Sequence, residues 1–357
     1  MSRLPAGIAE LTSRVHPTDP TARATATARQ EVLAKPPGSL GQLEGIGAQL
    51  SAIARRCPPP VPERPTLIIA AGDHGVHAQG VTKWPQSITS MMVDTAVQGT
   101  AAASVLARVV HARVEVLDVG VIGQTPAPAG VHRHRVVPAG TRDLSQEPAM
   151  TIAQATQAVG AGAKMAMDAI GDGTDLLLTG DLGIANTTPS ACLIAALTGS
   201  QPQQVVGPGA ANDPATVVRK VAVVRAALQR HGTDREPMQV LASLGGSEHA
   251  ALVGLILAAA ANRIPVVLDG VIAGAAALTA TALCPPAAEY LIAGHRSTEP
   301  GASIALDSLG LLPLLDLSLR LGEGTGALLA VPLVQSSAAV LSQMATLEDL
   351  QRTARTD

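Results

Sequence analysis

The sequence has no phenylalanine, one tryptophan and one tyrosine in 357 residues. Its core must therefore be aliphatic, and Trp84 is the only large aromatic plane available to stack on a ligand ring. Stacking and plain packing both fit Trp84 at this level. Cysteine is scarce as well. Cys57, Cys192 and Cys284 are odd in number and far apart, which excludes a disulfide framework and a paired-cysteine zinc site and fits a reducing, cytoplasmic compartment. The formal net charge is only −3 and the basic residues are scattered, so neither nucleic acid nor an acidic membrane surface is an expected partner. The opening stretch, "MSRLPAGIAELTSRVHPTDP", lacks the apolar centre of a signal sequence, and no uncharged apolar run reaches the ~20 residues that a membrane span needs.

What the chain does have is a series of β-branched or leucine-rich runs, each ending in glycine or a polar group: "TLIIAAGDHG", "VEVLDVG", "DLLLTGDLG", "MQVLASLGG", "IPVVLDGV" and "EYLIAGH". Each has the length of one buried strand. Between them lie Ala-rich segments with helical spacing: Thr151 to Ile170, Asp213 to His231 and Ser247 to Arg263. This alternation predicts an α/β fold, a parallel, Rossmann-like sheet flanked by helices. "CPPPVPERP" (Cys57 to Pro65) cannot continue a helix and reads as a rigid connector. The residues before it, and those after about Ala305, look helical without strands of the same quality. The expected organisation is a large α/β domain over 61–304 and a smaller helical domain built from both termini, 1–60 and 305–357.

In an open parallel sheet, ligands bind beyond the carboxyl ends of the strands, where loops can converge on a crevice. That directs attention to Asp73, Asp181, Gly246, Gly270 and His295. "TGDLGIANTTPSACLIAAL" leads a strand into a helix, with Thr187 or Thr188 as the expected N-cap. The free N–H groups of such a helix suit a phosphate, and the same residues also describe a capped helix without a ligand. "VVGPGAANDP" is a second glycine-rich turn, followed on a helix by Lys220, either solvated or reaching back to an anion. Asp73, His74 and His77 lack a third well-placed metal ligand, and His132 and His134 alternate as on a strand, so no metal site is expected. "GIGAQL", "GAGAKM" and "GDGTDL" each miss the third glycine or the preceding strand of a dinucleotide loop, and no Walker loop, nucleophile elbow or zincin helix is present.

"LRLGEGTGALLAVP" (Leu319 to Pro332) places one acid, Glu323, between two glycines in an apolar context. The glycines let the backbone pass close to a ligand, and apolar surroundings raise a carboxylate's proton affinity toward the working pH, as a general base requires. Glycoside hydrolysis uses a pair of carboxylates because its leaving group must be protonated. A pyridinium leaving group is discharged by cleavage of its own C–N bond, so one carboxylate suffices.

Eight blocks now stand in order: "KPPGSLGQLE", "AAGDHGV", "GTRDLSQEPAM", "GDLGIANTTPSA", "LGGSEHAALVG", "VVLDGVIAGAAAL", "AGHRSTEPG" and "LGEGTGA". In sequence and spacing, from Lys35 nearly to the C-terminus, they resemble the nicotinate-nucleotide:dimethylbenzimidazole phosphoribosyltransferases of cobalamin biosynthesis. The resemblance implies transfer of a 5-phosphoribosyl group from nicotinate mononucleotide to 5,6-dimethylbenzimidazole by a homodimer that needs no cofactor. It implies Glu323 as catalytic base, and Asp181, Gly183, Asn186 and Thr187 as the ribose and phosphate loop. It also implies Lys220, Gly270 and Ser297 near the phosphate, and Trp84 and Gln86 at the wall that holds the base. Many relatives have glutamate where this chain has Asp181, whose shorter arm leaves room for a bridging water. Two alternatives stand beside this reading. One is a Mg²⁺-dependent transferase using phosphoribosyl pyrophosphate, disfavoured because the only adjacent acids are Glu348 and Asp349. The other is a non-catalytic sensor of a benzimidazole or nucleotide.

Overall fold

The computed structural model describes residues 4–123, 130–209 and 213–353. Residues 210–212, inside the "VVGPGAANDP" turn, and the ends of the chain assigned to the two outer segments lie outside the described residues. Six strands form one sheet among the described residues: β1 (Pro65–Gly72), β2 (Arg113–Gly120), β3 (Val131–Arg133), β4 (Leu176–Leu182), β5 (Val266–Leu268) and β6 (Leu291–Ala293). All neighbours pair in parallel, in the order β3-β2-β1-β4-β5-β6. The expected parallel α/β architecture is therefore present, and the strand order reverses between β1 and β4.

The helices are α1 (Ala6–Ser13), α2 (Pro20–Val32), α3 (Gln42–Ala54), α4 (Ser87–Val97), α5 (Ala102–Val109), α6 (Ile152–Gly171), α7 (Thr187–Thr198) and α8 (Pro202–Val205). They continue as α9 (Pro214–His231), α10 (Pro237–Leu244), α11 (Ser247–Ala261), α12 (Val271–Leu283), α13 (Pro300–Leu309), α14 (Thr325–Gln343) and α15 (Leu347–Thr353). Every residue of β1 is buried, and its side chains alternate between two cores: Ile68 and Ala70 on one face, Leu67, Ile69 and Ala71 on the other. The first face is covered by α6, α7, α11 and α12, the second by α4, α5 and α14. At the chain ends, α2, α3 and α14 pack together, whereas α1 lies on α6 and α11, and α13 lies on α7 and α12.

Two local expectations are corrected. "MQVLASLGG" is not a strand but α10, begun by Pro237, with Glu236 accepting from the Met238 and Gln239 amides. A short run buried on all sides carries no period to separate strand from helix. The N-cap of α7 is Asn186 rather than either threonine, and its side chain turns to Asp181 instead of capping. Helix α14 has the length and mean hydropathy (1.5) of a membrane-crossing helix, but more than half of it is buried and it packs on α3, α5, β4 and β5. Its apolar surface is accounted for by the core.

Two close contacts hold this arrangement. The crossing of α6 and α11 is tight enough that a Cβ on Gly162 would lie 1.8 Å from the Ala251 carbonyl oxygen, and one on Gly254 would lie 1.9 Å from that of Val159. Only glycine lets the two backbones meet there. The second contact ties the late helix α14 to the sheet. Asp269, just beyond β5, accepts from the Gly324 amide at Oδ2 (3.1 Å) and from the Gly326 and Ala327 amides at Oδ1 (2.8 and 3.3 Å). These are the free donors at the amino end of α14, where a carboxylate is held both by hydrogen bonds and by the helix dipole. Gly326 makes the approach possible, because a Cβ there would fall 1.8 Å from the His295 ring.

Gly162→Ala should lower the unfolding free energy by about 2 kcal/mol or more through overpacking, read as a fall in denaturant midpoint. Asp269→Ala should cost about 2–3 kcal/mol, since it removes charge-assisted bonds to three amides. Asp269→Asn, which keeps one acceptor, should lose less in the same titration.

Candidate active site

Where the strand order reverses, the loops after β1 and β4 diverge and leave a crevice at the carboxyl edge. A cavity of about 490 Å³ occupies this edge, lined from the β1–α4 connection and α4, the loops after β4, β5 and β6, and the segment before α14. That volume suits a small-molecule substrate. Trp84, Asp181, Gly183, Asn186, Thr187, Lys220, Gly270, Ser297 and Glu323 all line it. Gln86 does not: its amide donates 2.9 Å to the His74 carbonyl, bracing the turn before α4. Of the other strand-end residues, His295 joins the lining, while Asp73 and Gly246 lie beneath it.

The Glu323 loop reaches the cavity by an ordered path. Beyond β6, Arg296 and Thr298 donate backbone bonds to Leu315 and Leu319 (2.8 and 3.2 Å), which carry the chain back across the strand ends. Gly322, Glu323 and Gly324 then take positive φ values of 82°, 62° and 87°. For glutamate this left-handed conformation is strained, and it persists because the Asp269 bonds and the close fit against β4 leave the backbone no alternative. A Cβ on Gly180 would lie 2.9 Å from the Glu323 carbonyl oxygen, and one on Gly324 would lie 2.3 Å from Leu67 Cδ1. Glu323 as a residue is only 5 % exposed. Its Oε2 lies 3.5 Å from the Ala103 amide at the amino end of α5. Burial raises its proton affinity and the nearby Asp269 adds to this, with the Ala103 amide opposing.

Asp181 ends β4 beside this loop, and a Cβ on Gly322 would sit 3.3 Å from its Oδ2. That oxygen accepts 2.8 Å from Asn186 Nδ2, and Oδ1 has no partner among the described residues. Burial raises the Asp181 carboxyl well above its ordinary range, and the charges of Asp269, Glu248 and Glu323 push the same way. A third cluster suits an anion. Lys220, on the second turn of α9 and only 1 % exposed, donates to Thr187 Oγ1 (2.9 Å) and the Gly207 carbonyl (2.8 Å). It is thus neither solvated nor idle. Burial lowers its proton affinity and Glu299 opposes that. Glu299 Oε1 accepts from the Gly209 amide (2.7 Å), holding the described part of the glycine turn next to Lys220.

Trp84 lies at the cavity wall and is 49 % exposed, so its ring is not consumed by the core. Ile88, Met92, Ile184 and Leu321 extend this apolar wall. Thr89 ties it to the loop after β4, accepting from the Ile184 amide (3.1 Å) while donating to Asp73 (2.7 Å). Asp73 also accepts from the Ile122 amide (2.8 Å), and His77 Nε2 lies 2.9 Å from the Trp84 carbonyl oxygen. The Asp-His-x-x-His run therefore organises the wall, each side chain facing a different way. His132 pairs with Glu115 on the neighbouring strand (2.9 Å). Sequence reasoning missed Asp269, which anchors the Glu323 loop, and Glu299 and Arg320, which line the cavity. The first two occupy strand-end loops and could have been found by extending that rule to every acid there.

Known proteins resemble this chain over nearly its whole length. A family model described as phosphoribosyltransferase matches residues 15–351. A protein of Salinispora tropica named nicotinate-nucleotide–dimethylbenzimidazole phosphoribosyltransferase is 50 % identical over 351 residues, covering 94 % of this chain and 96 % of its own. One of the same name from a Roseiflexus species is 47 % identical over 341 residues, covering 95 % and 96 %. The crystal structure of CobT from Thermus thermophilus superposes with a TM-score of 0.90 at 43 % identity, covering 93 % of this chain and 99 % of that one. With a family model matching residues 15–351 and identity of this extent over nearly its whole length, the chain belongs to the phosphoribosyltransferase family that these proteins represent.

Proposed function

We propose that the chain transfers the 5-phosphoribosyl group of nicotinate mononucleotide to 5,6-dimethylbenzimidazole, giving α-ribazole 5′-phosphate and nicotinate, a step in building the nucleotide loop of cobalamin. The observation that carries this reading is the convergence, in one cavity, of the Glu323 loop, the Asp181–Asn186 turn and the Lys220–Thr187 anion cluster.

One benzimidazole nitrogen forms a bond to C1′ as the bond from C1′ to the nicotinate nitrogen breaks. The bonding pair returns to the pyridinium ring and discharges it. The second benzimidazole nitrogen gives its proton to the Glu323 carboxylate, so the product leaves neutral at the base and no acid is needed for the leaving group. Attack from the face opposite nicotinate accounts for the α configuration. Positive charge develops at C1′ in this displacement, and Asp181 and Glu323 with Asp269 behind them supply a field that favours it. Burial raises the proton affinity of Asp181 and Glu323, and a pyridinium cation beside them favours their ionised forms, so donor and acids stabilise each other's charges. Lys220, Thr187, Ser297 and the Gly209 and Gly270 backbone suit the 5′-phosphate, and Trp84 suits the flat bicyclic acceptor.

Further features belong to the same reading. The packing of α2, α3 and α14 supports a smaller helical unit made from both chain ends. Met91, Val105 and Val109, exposed on α4 and α5, support a homodimer, and three free cysteines support a cytoplasmic setting.

The direct test is incubation with nicotinate mononucleotide and dimethylbenzimidazole in EDTA, with chromatography for nicotinate and the α nucleotide; an absolute magnesium requirement would overturn the reading. Glu323→Gln should lower kcat by about 10²–10⁴ while the acceptor's Kd changes little, and unaltered turnover would remove Glu323 from the base role. The base must be ionised and its proton affinity is raised, so kcat/KM should fall with decreasing pH at values above the ordinary glutamate pKa of about 4.3. That acidic limb should change in Glu323→Gln.

A further inference from the structure

Beneath the cavity lies a set of fully buried polar groups that the mechanism does not use. Glu248, in the first turn of α11, has Oε1 2.6 Å from His249 Nδ1 and 3.1 Å from His74 Nε2, and all three side chains are inaccessible. Burial by itself would raise the Glu248 carboxyl, yet the two imidazoles hold it below the ordinary carboxylate range. The other ring nitrogen of His249, Nε2, lies 2.8 Å from Ser190 Oγ, and that hydroxyl donates 2.8 Å to the Asn186 carbonyl. Asn186 in turn donates from Nδ2 to Asp181.

The cluster also touches the other end of the same turn. A Cβ on Gly183 would lie 3.1 Å from His74 Nε2 and 2.4 Å from the Gly72 carbonyl oxygen, and the Asn186 amide donates 3.1 Å back to the Gly183 carbonyl. Between these two anchored points Ala185 holds a φ of +79°, an uncommon conformation for alanine. Gly246 is pressed into the cluster, where a Cβ would meet Glu248 Oε2 at 2.3 Å and His74 Cε1 at 2.5 Å. A buried ionic group of this kind contributes little net stability against an apolar replacement, because desolvation offsets the Coulomb gain. What it does supply here is direction: charged and hydrogen-bonding groups meet at fixed distances under the one turn that carries Gly183, Asn186 and Thr187.

We propose that Ser190 and His249 are positioning residues, which together with Glu248 and His74 form a buried brace that holds the Gly183–Thr187 turn in the shape that receives the phosphoribosyl donor. The inference rests on the functional reading above. Neither residue touches substrate, since neither lines the cavity; they act through the backbone of Asn186. His74 sits in the β1–α4 connection that also carries the acceptor wall, whereas Ser190 and His249 meet the turn only at Asn186, so loss of either of these two falls on the donor.

The test compares the intact protein with Ser190→Ala, His249→Gln and the double variant, reading KM for each substrate and the Kd of nicotinate mononucleotide by titration calorimetry. Ser190→Ala should raise KM and Kd for the donor about 10-fold and leave KM for dimethylbenzimidazole within about 2-fold; because both residues serve one path, the double variant should be no worse than the more impaired single variant. A donor KM and Kd unchanged in Ser190→Ala would overturn the proposal, as would single effects that multiply in the double variant. A fall in melting temperature with equal loss toward both substrates would mark a merely structural role and overturn it as well. Ser190→Ala removes only a hydroxyl, so it carries the decision if His249→Gln does not fold. If the unaltered protein binds nicotinate mononucleotide without turnover, the functional reading fails while the Kd comparison still decides the brace; if it does not bind the donor, both fall.

Discussion

Everything at the cavity depends on one carboxylate meeting one helix end. Asp269 leaves β5 and accepts the amides of Gly324, Gly326 and Ala327, and by doing so binds a late segment of the chain to the edge of the sheet. A helix amino end offers several unsatisfied donors and a partial positive charge, so a buried carboxylate is a strong and directional partner for it. Once α14 is pinned there, the preceding residues must pass over β4, and the three left-handed conformations at Gly322, Glu323 and Gly324 follow from the lack of room. Glu323, the proposed base, is therefore held on a loop whose backbone is fitted closely against β4.

The charge pattern has a second consequence. Asp181, Glu323, Asp269, Glu248 and Glu299 are all buried at one end of the sheet, facing Lys220 and the imidazoles of His74, His249 and His295. Burial, and after it the neighbouring carboxylates, raises the proton affinity of Asp181 and Glu323. An anion finds favourable charge here at the Lys220 cluster, and the donor of the proposed reaction, with a cationic ring and an anionic phosphate, carries the sign that complements each pole. The aliphatic composition reinforces the arrangement. With no phenylalanine anywhere, the inner layers of α11 and α12 are close-packed with Ala, Val, Leu and Ile, and the single tryptophan stays half exposed at the cavity wall.

Several features are readable in the sequence because they are local. Strands β1, β2, β4, β5 and β6 follow from apolar runs ending in glycine or a polar group, and α6, α9 and α11 follow from the Ala-rich segments with helical spacing. "MQVLASLGG" reads as a strand because a segment buried on all sides has no alternating pattern, and the cap formed by Glu236 with Pro237 weighs less than the apolar run. The family resemblance puts Gln86 at the base wall, but its side chain turns inward to the His74 carbonyl. Lys220 stays ambiguous in sequence because no pattern on α9 distinguishes a buried lysine from a solvated one; the carbonyl of Gly207 and the hydroxyl of Thr187, both on other elements, make that distinction.

By itself the sequence determined the class of fold, the edge of the sheet where chemistry had to lie, and Glu323 as an acid confined between glycines. These depend on periodicity and on backbone conformations that neighbouring residues impose on one another. Only the tertiary structure decided which groups meet: Asp269 with Gly326 across 57 residues, Ser190 with His249 across 59, Glu299 with Gly209 across 90. The reason is physical. A hydrogen bond or ion pair is fixed by distances of about 3 Å, and the chain brings such partners together only after its apolar faces have packed and set where each strand ends.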